Sequence, residues 1–239
     1  MSLDYQSAAS VLALIALLGA VVITATYLPA LFIRHRHIAR LKQLSRGRMA
    51  LTYDDGPGER LVPRLLELLD RYDARATFFL LGQNAEKAPS ICDRIRDAGH
   101  EMGCHSQRHL RFWRRLPWMA VKDMNNGYRT LSRWIDRDAL FRPPYGKLTL
   151  WTWLAIRRRR AHVAWWTLYS GDVQSLPRHA QSVPSRLVRD GGGVVLLHCD
   201  DRDEVHADYV LNLTEQLLVT AREHNLQTCT VSELLGESR

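Results

Sequence analysis

The chain lacks any CxxC pair, any internal repeat and any low-complexity tract. Its four cysteines, Cys92, Cys104, Cys199 and Cys229, are widely spaced, which argues against a disulfide scaffold and leaves free or buried thiols. Charge is missing from residues 8 to 33, and acid is missing from residues 34 to 48. The net charge of +8 therefore comes mainly from one short segment carrying Arg34, Arg36, Arg40, Lys42, Arg46 and Arg48. A nucleic-acid partner would require basic residues spread over a domain face together with a matching motif. Neither is present, so no nucleic acid is expected. What remains is ordinary for a globular protein: 239 residues, 46% hydrophobic and 24% charged, enough for one large domain and within the range of a single α/β barrel.

The uncharged run "AASVLALIALLGAVVITATYLPALFI" is long for a cleaved signal, which would carry a basic start and a shorter apolar core. The part before Pro29 would span roughly 31 Å as a helix, close to one hydrocarbon core. A retained single-pass transmembrane helix at about 8–30 is expected within an N-terminal segment 1–33, with a buried core helix as the alternative. Residues 34–47 then form a basic juxtamembrane linker, able to rest on anionic headgroups through the partly amphipathic "IARLKQL". Basic residues follow the helix and none precedes it, which favours a cytoplasmic C-terminal side and leaves the side open.

Beyond residue 48, short apolar runs alternate with helical patterns. Strands are expected at 48–53, 76–82, 100–105, 140–142, 162–168, 193–198 and 226–231, and helices at 59–73, 88–99, 117–135, 147–160, about 178–189 and 207–223. Alternation of this kind implies a parallel sheet with helical crossovers, and seven units suit a barrel. The polar residues fall at strand ends: Asp54 and Asp55, His105, Arg142 and His198. Active sites of α/β barrels form at that edge.

"LTYDDGP" sets Asp54 against Asp55 before a Gly-Pro turn, where the backbone can swing both carboxylates into one pocket. "HSQRH" gives His105 and His109 at i, i+4, so a helical turn would put both imidazoles on one face. With Asp55 they make a two-histidine, one-carboxylate set that leaves coordination positions open on a metal ion.

"LTYDDGP", "HSQRH", "FRPPYG" and "LLH", in this order and approximate spacing, resemble the polysaccharide deacetylases, carbohydrate esterase family 4, over about residues 48 to 235. The resemblance implies a distorted (β/α)7-type barrel of the polysaccharide deacetylase kind, preceded by the one N-terminal transmembrane helix, with the catalytic domain at 48–239. It implies a metal-dependent hydrolase that removes N-acetyl or similar acyl groups from amino sugars. Asp54 would be the general base, and Asp55, His105 and His109 the metal ligands. Arg142 would orient the base. In the same motif Pro144 and the Tyr145 backbone N–H would serve the substrate and the oxyanion. His198 would be the general acid, and Leu196 would line the pocket for the acetyl methyl. Zinc suits this ligand set, with cobalt, nickel, manganese and iron as the other candidates. Amide hydrolysis needs an activated water, a stabiliser for the oxyanion and a proton for the leaving nitrogen, so no serine or cysteine nucleophile is required. Cys104 and Cys199 adjoin His105 and His198 and read as packing residues.

The fourth family motif is altered. In "WTLYSGDVQ", Trp166 and Asp172 align, but Tyr169 stands where the family has an aspartate and Val173 where it has a tryptophan. Asp172 can still orient His198. Trp113, Trp151 and Trp165 are candidates to replace the lost aromatic wall, although Trp151 reads better, like Trp153, as a core or membrane-facing residue. The four arginines 157 to 160 read as a solvated helix face, with phosphate binding as the alternative. Two substrates compete: an N-acetylated glycan outside the cell, or a lipid-linked amino sugar at the cytoplasmic face. A membrane-anchored sugar-binding protein without activity is a rival from another class, opposed by the intact motif residues. An aspartyl phosphatase is a second, and it would not need the two histidines.

Overall fold

β1 (Arg48–Gly56) is the centre of the sheet. It pairs in parallel with β2 (Thr77–Leu80) along one edge and with β5 (Gly193–His198) along the other. A strand with neighbours on both edges and cover on both faces reads as a continuous apolar run. That is why "MALTY" and "GVVLLH" show no alternation, and why both are buried almost throughout. The computed structural model describes residues 5–111, 116–174 and 182–236.

β3 (Glu101–Cys104) pairs with β2, Phe141 bridges Cys104, and Val163 bridges Phe141, all in parallel. β4 (Leu168–Tyr169) pairs with β5. The segment expected as one strand over 162–168 is therefore split. Its start bonds Phe141 through His162 and Ala164, and its end bonds β5 from Thr167 onward. Pairing thus runs around a full ring, two positions of which are single bridges. β6 (Gln227–Thr228) adds a seventh parallel segment at the start of β1. The expected distorted barrel is what forms.

The crossovers are helical: α2 (Leu61–Arg71), α4 (Pro89–Asp97), α5 (Pro117–Leu131), α6 (Leu150–Arg159), α7 (Ser182–Asp190) and α8 (Glu204–Glu223). Two short helices, α3 (Gly82–Lys87) and α9 (Val231–Leu235), were not expected. The start of the helix expected at 178–189 lies outside the described residues. α2 starts later than its apolar pattern suggested because its cap comes from across the fold. The Asp201 carboxylate accepts the backbone N–H groups of Arg60 and Leu61, both at 3.1 Å, satisfying orphan donors of the first turn.

The largest difference from expectation is at the N-terminus. α1 (Tyr5–Leu44) runs straight through Pro29 and through most of the expected linker. From Thr26 onward one face of α1, including Ala30, Ile33, His37, Leu41 and Leu44, lies against the barrel; Leu41 is only 4% exposed. The His37 ring meets Trp165 edge-on at 5.3 Å. Residues 34–44 are thus a docked helix, because their few apolar side chains recur at helical spacing. Before Thr26 the apolar side chains from Val11 to Ile23 are more than half exposed. Among the described residues one helix, Ala9–Leu44, is long and apolar enough to cross a membrane.

Candidate active site

The parallel strands deliver their C-terminal ends to one mouth, and the motif residues meet there. Asp54 and Asp55 face the same cleft because Asp55 takes a left-handed conformation, φ 66°. That geometry is unfavourable for a residue with a Cβ and persists only where surrounding contacts hold it. Asn84 does so, donating its side-chain amide to the Asp55 carbonyl at 2.7 Å. Gly56 follows because the end of β5 crowds it: a Cβ there would stand 2.5 Å from Cys199 Sγ.

His105 leaves β3 with its ring fixed. Its Nδ1 lies 2.7 Å from the Arg142 carbonyl, which can only accept, so Nδ1 carries the proton and Nε2 keeps its lone pair. Burial pushes the His105 pKa down to about 3, against the pull of Asp55, so the ring is neutral. His109 is not brought round by a helical turn, as its spacing had suggested. Ser106 and His109 both take left-handed backbone, φ 75° and 55°, in a loop. Ser106 Oγ accepts the His109 N–H at 3.2 Å, and the Asp123 side chain accepts that of Arg108. The rings end 4.9 Å apart, and each Nε2 is 3.4 Å from Asp55 Oδ1. One ligand atom from each of Asp55, His105 and His109 lies within 4.8 Å of the others. Asp55 Oδ1 is buried without a hydrogen-bond partner. An orphaned carboxylate oxygen facing two imidazole nitrogens is the donor set of a divalent cation.

Asp54 is 3% exposed and takes a 2.9 Å hydrogen bond from Arg142 Nη1. Arg142 is itself fully buried, stacked over Phe79 at 4.1 Å, and donates from the same nitrogen to Thr52 Oγ1. Burial raises the Asp54 pKa, with Arg142 and His198 opposing it. Across the cleft, Asp172 accepts the His198 backbone N–H at 2.7 Å and its ring Nδ1–H at 3.0 Å. Ser170 Oγ donates to the same carboxylate at 2.8 Å. Burial alone would raise Asp172; His198, His206 and Ser170 outweigh it and hold the carboxyl well below its usual range. Burial alone would lower His198; Asp172, with Asp54 and Asp55 behind it, raises it to about 9.

The remaining walls enclose about 410 Å3. Leu196, Trp166, Tyr145, Tyr169, Val173 and Arg202 line it. Tyr145 sits on the 3-10 turn Pro144–Gly146 at φ 58°, its ring 4.4 Å from that of His109, while Pro144 is buried behind it.

A model of the polysaccharide deacetylase family matches residues 42–162, half of the chain. The chain belongs to that family. It is 27% identical over 189 residues to a peptidoglycan-N-acetylglucosamine deacetylase of Bacillus cereus, covering 78% of this chain and 87% of that one. Among solved structures, a peptidoglycan N-acetylglucosamine deacetylase superposes with TM-score 0.72 at 24% identity, over 81% of this chain and 90% of the other. The chitin deacetylase of Colletotrichum lindemuthianum superposes with TM-score 0.70 at 29% identity, over 81% and 89%.

Within this family fold, every motif residue singled out in the sequence falls at the mouth or directly behind it. The described aromatic candidates, Trp151 and Trp165, do not. Trp165 is fully buried in the core, Trp151 is exposed and outside the cleft, and Trp113 lies outside the described residues. The aromatic walls are Trp166, Tyr169 and Tyr145 instead. Cys104 and Cys199 are buried free thiols, as expected, and burial pushes Cys104 up to about 12. The sequence reading missed Thr52, Ser170, His206 and Arg202. Arg202 lies in the "DDRDE" stretch just past His198, where its position was the available signal; its Nε holds Asp200 at 2.9 Å and its Nη2 stands 3.9 Å from Asp55.

Proposed function

We propose that this protein is a metal-dependent deacetylase that removes N-acetyl groups from amino sugars of a glycan, carried on a membrane by α1. The observation that carries the reading is the company kept by the three ligand atoms. Asp54, buried and raised in pKa, and His198, held protonated by Asp172, line the same cleft.

Asp55, His105 and His109 would hold the cation, and the orphaned Asp55 oxygen with two histidine nitrogens at 3.4 Å fits it. A divalent cation bound there supplies Lewis acidity, acidifying water and polarising the amide carbonyl. Asp54 accepts the proton of the attacking water, and Arg142 keeps the carboxylate turned toward the cleft. The Tyr145 backbone N–H, on the 3-10 turn that lines the cleft, would stabilise the developing oxyanion. His198 hands its proton to the sugar nitrogen as the carbon–nitrogen bond breaks, and Asp172 steadies the ring through that transfer. Leu196, 3% exposed at the cleft floor, receives the acetyl methyl. The reaction adds one water across the amide and yields acetate and a free amine.

A second reading, a lipid-linked amino sugar as substrate, is favoured by one observation. The Arg34 guanidinium of α1 stands 5.9 Å from the ring of Trp166, a wall of the cleft, so the helix that would enter the bilayer packs against a residue of the substrate site. Acetate release from N-acetylated peptidoglycan, chitin oligomers and a polyprenyl-phosphate N-acetyl sugar, assayed with metal-loaded full chain, tests both. Release from at least one of them is expected. No release from any, with sugar binding retained, would make the protein a binding module.

A further inference from the structure

Away from the cleft, α1 and α6 frame a groove of about 810 Å3, roughly twice the volume of the catalytic cleft. Arg36 and Arg40, one helical turn apart, line the α1 wall. Arg157 and Arg160 line the other, at the C-terminal end of α6. No carboxylate is part of the lining among the described residues. Two of the four guanidinium groups are braced by aromatic rings: Arg36 over Phe32 at 5.6 Å and Arg157 over Trp153 at 5.4 Å. Stacking of this kind fixes the plane of a guanidinium and leaves its N–H edge for an anion. The deacetylation chemistry uses none of the four. Converging like charges without an acid among them repel one another, and a bound anion would relieve that repulsion.

The groove's place along α1 narrows the ligand. The charge-free run ends at Ile33, which itself lines the groove. Arg36 is three residues beyond it, about 4.5 Å along the axis, and Arg40 about 10 Å. The headgroup zone on each side of a bilayer is roughly 5–7 Å thick, so Arg36 falls within it and Arg40 just beyond its outer edge. Leu28 and Leu31, about 60% exposed, immediately precede the groove, and Phe32, equally exposed, lines it. Ile156 and Val163 give it apolar lining that a small soluble anion would leave unused. Guanidinium forks match phosphate oxygens in pairs.

We propose that this groove binds the phosphate of an anionic phospholipid headgroup, so that the bilayer entered by α1 also grips the barrel through α6. The inference rests on the reading of α1 as a membrane anchor and is independent of the deacetylation chemistry. The test uses the full chain in nonionic detergent, titrated with short-chain phosphatidylglycerol, phosphatidylcholine of the same acyl length, and glycerol phosphate, with bound lipid read by native mass spectrometry. Saturable phosphatidylglycerol binding is expected, with the other two at least roughly tenfold weaker. Arg36→Gln combined with Arg157→Gln should weaken it about 30-fold, roughly fivefold per guanidinium. A charge-matched control, Arg71→Gln with Arg222→Gln on the α2–α8 side, should leave it unchanged. Circular dichroism checks folding, and Arg40→Gln with Arg160→Gln replaces the first pair if that pair unfolds. Equal binding of both lipids, or a loss no greater than in the control, would overturn the site. Glycerol phosphate binding as tightly as phosphatidylglycerol would assign the groove to a soluble phosphate and overturn the lipid. Alkaline extraction of membranes reads the anchor separately: release of the chain would refute the anchor, while the micelle titration still judges the groove.

Discussion

Asp172 grips His198 twice, through the backbone N–H and through the ring. That grip has a thermodynamic sign. The His198 pKa rises from the ordinary 6.5 to about 9, so folding favours its protonated form. The resulting stabilisation is fully present below the unfolded value and is lost as pH climbs through the folded one. In metal-free protein the unfolding free energy should therefore fall between pH 6.5 and about 9, by on the order of 3 kcal/mol. Asp172→Asn should flatten that slope. Urea titrations across this range check it, and an unchanged slope in the variant would contradict the assignment. His198 was legible in the sequence because it ends an apolar strand run, and Asp172, on a 3-10 turn beyond β4, only through its alignment with the family's fourth motif. Ser170 and His206 were not, because they matter only through contact with Asp172: Ser170 at 2.8 Å and His206 Nε2 at 3.7 Å. Tyr169 and Val173, the departures from the family pattern, both line the cleft, so the altered motif changes its wall and leaves the Asp172–His198 pair in place.

Among the elements, α1 departs furthest from its sequence reading. A segment with six basic residues and no acid has the composition of a solvated linker. Its helical pattern rests on a few apolar positions, of which Leu41 is the most deeply placed beyond Ile33. Leu41→Ala should cost about 2 kcal/mol or more, since it empties a site between α1 and the barrel. Chemical denaturation of the full chain in detergent measures this, and a cost near zero would mean that the end of α1 is not part of the folded unit. The "HSQRH" loop shows the opposite case. The spacing of its histidines was informative while the element inferred from it was not. Two left-handed residues, Ser106 and His109, do the work a helical turn was expected to do. Positive φ at non-glycine residues leaves no trace in hydrophobic periodicity.

On the scale of the whole molecule, the barrel brings together groups that lie more than a hundred residues apart, such as Asp54 and His198, which sit opposite each other in the β1–β5 register. Strand–helix alternation made the parallel architecture legible, because parallel neighbours demand crossovers. Closure was harder to read: Phe141 and Val163 contribute only single bridges, and the segment 162–169 pairs in both directions within a few residues. In the proposed mechanism this closure builds a cation site from Asp55, His105 and His109, with Asp54 acting beside it as the base. The most direct measurement is metal content by plasma mass spectrometry, paired with acetate release, for the wild type, Asp54→Asn, Asp55→Asn and His105→Ala. About one divalent ion per chain is expected in the wild type and in Asp54→Asn, with turnover in the latter reduced by a factor of roughly 10²–10⁴. Asp55→Asn and His105→Ala should lose both ion and activity. Retention of a stoichiometric ion by those two variants would contradict the account.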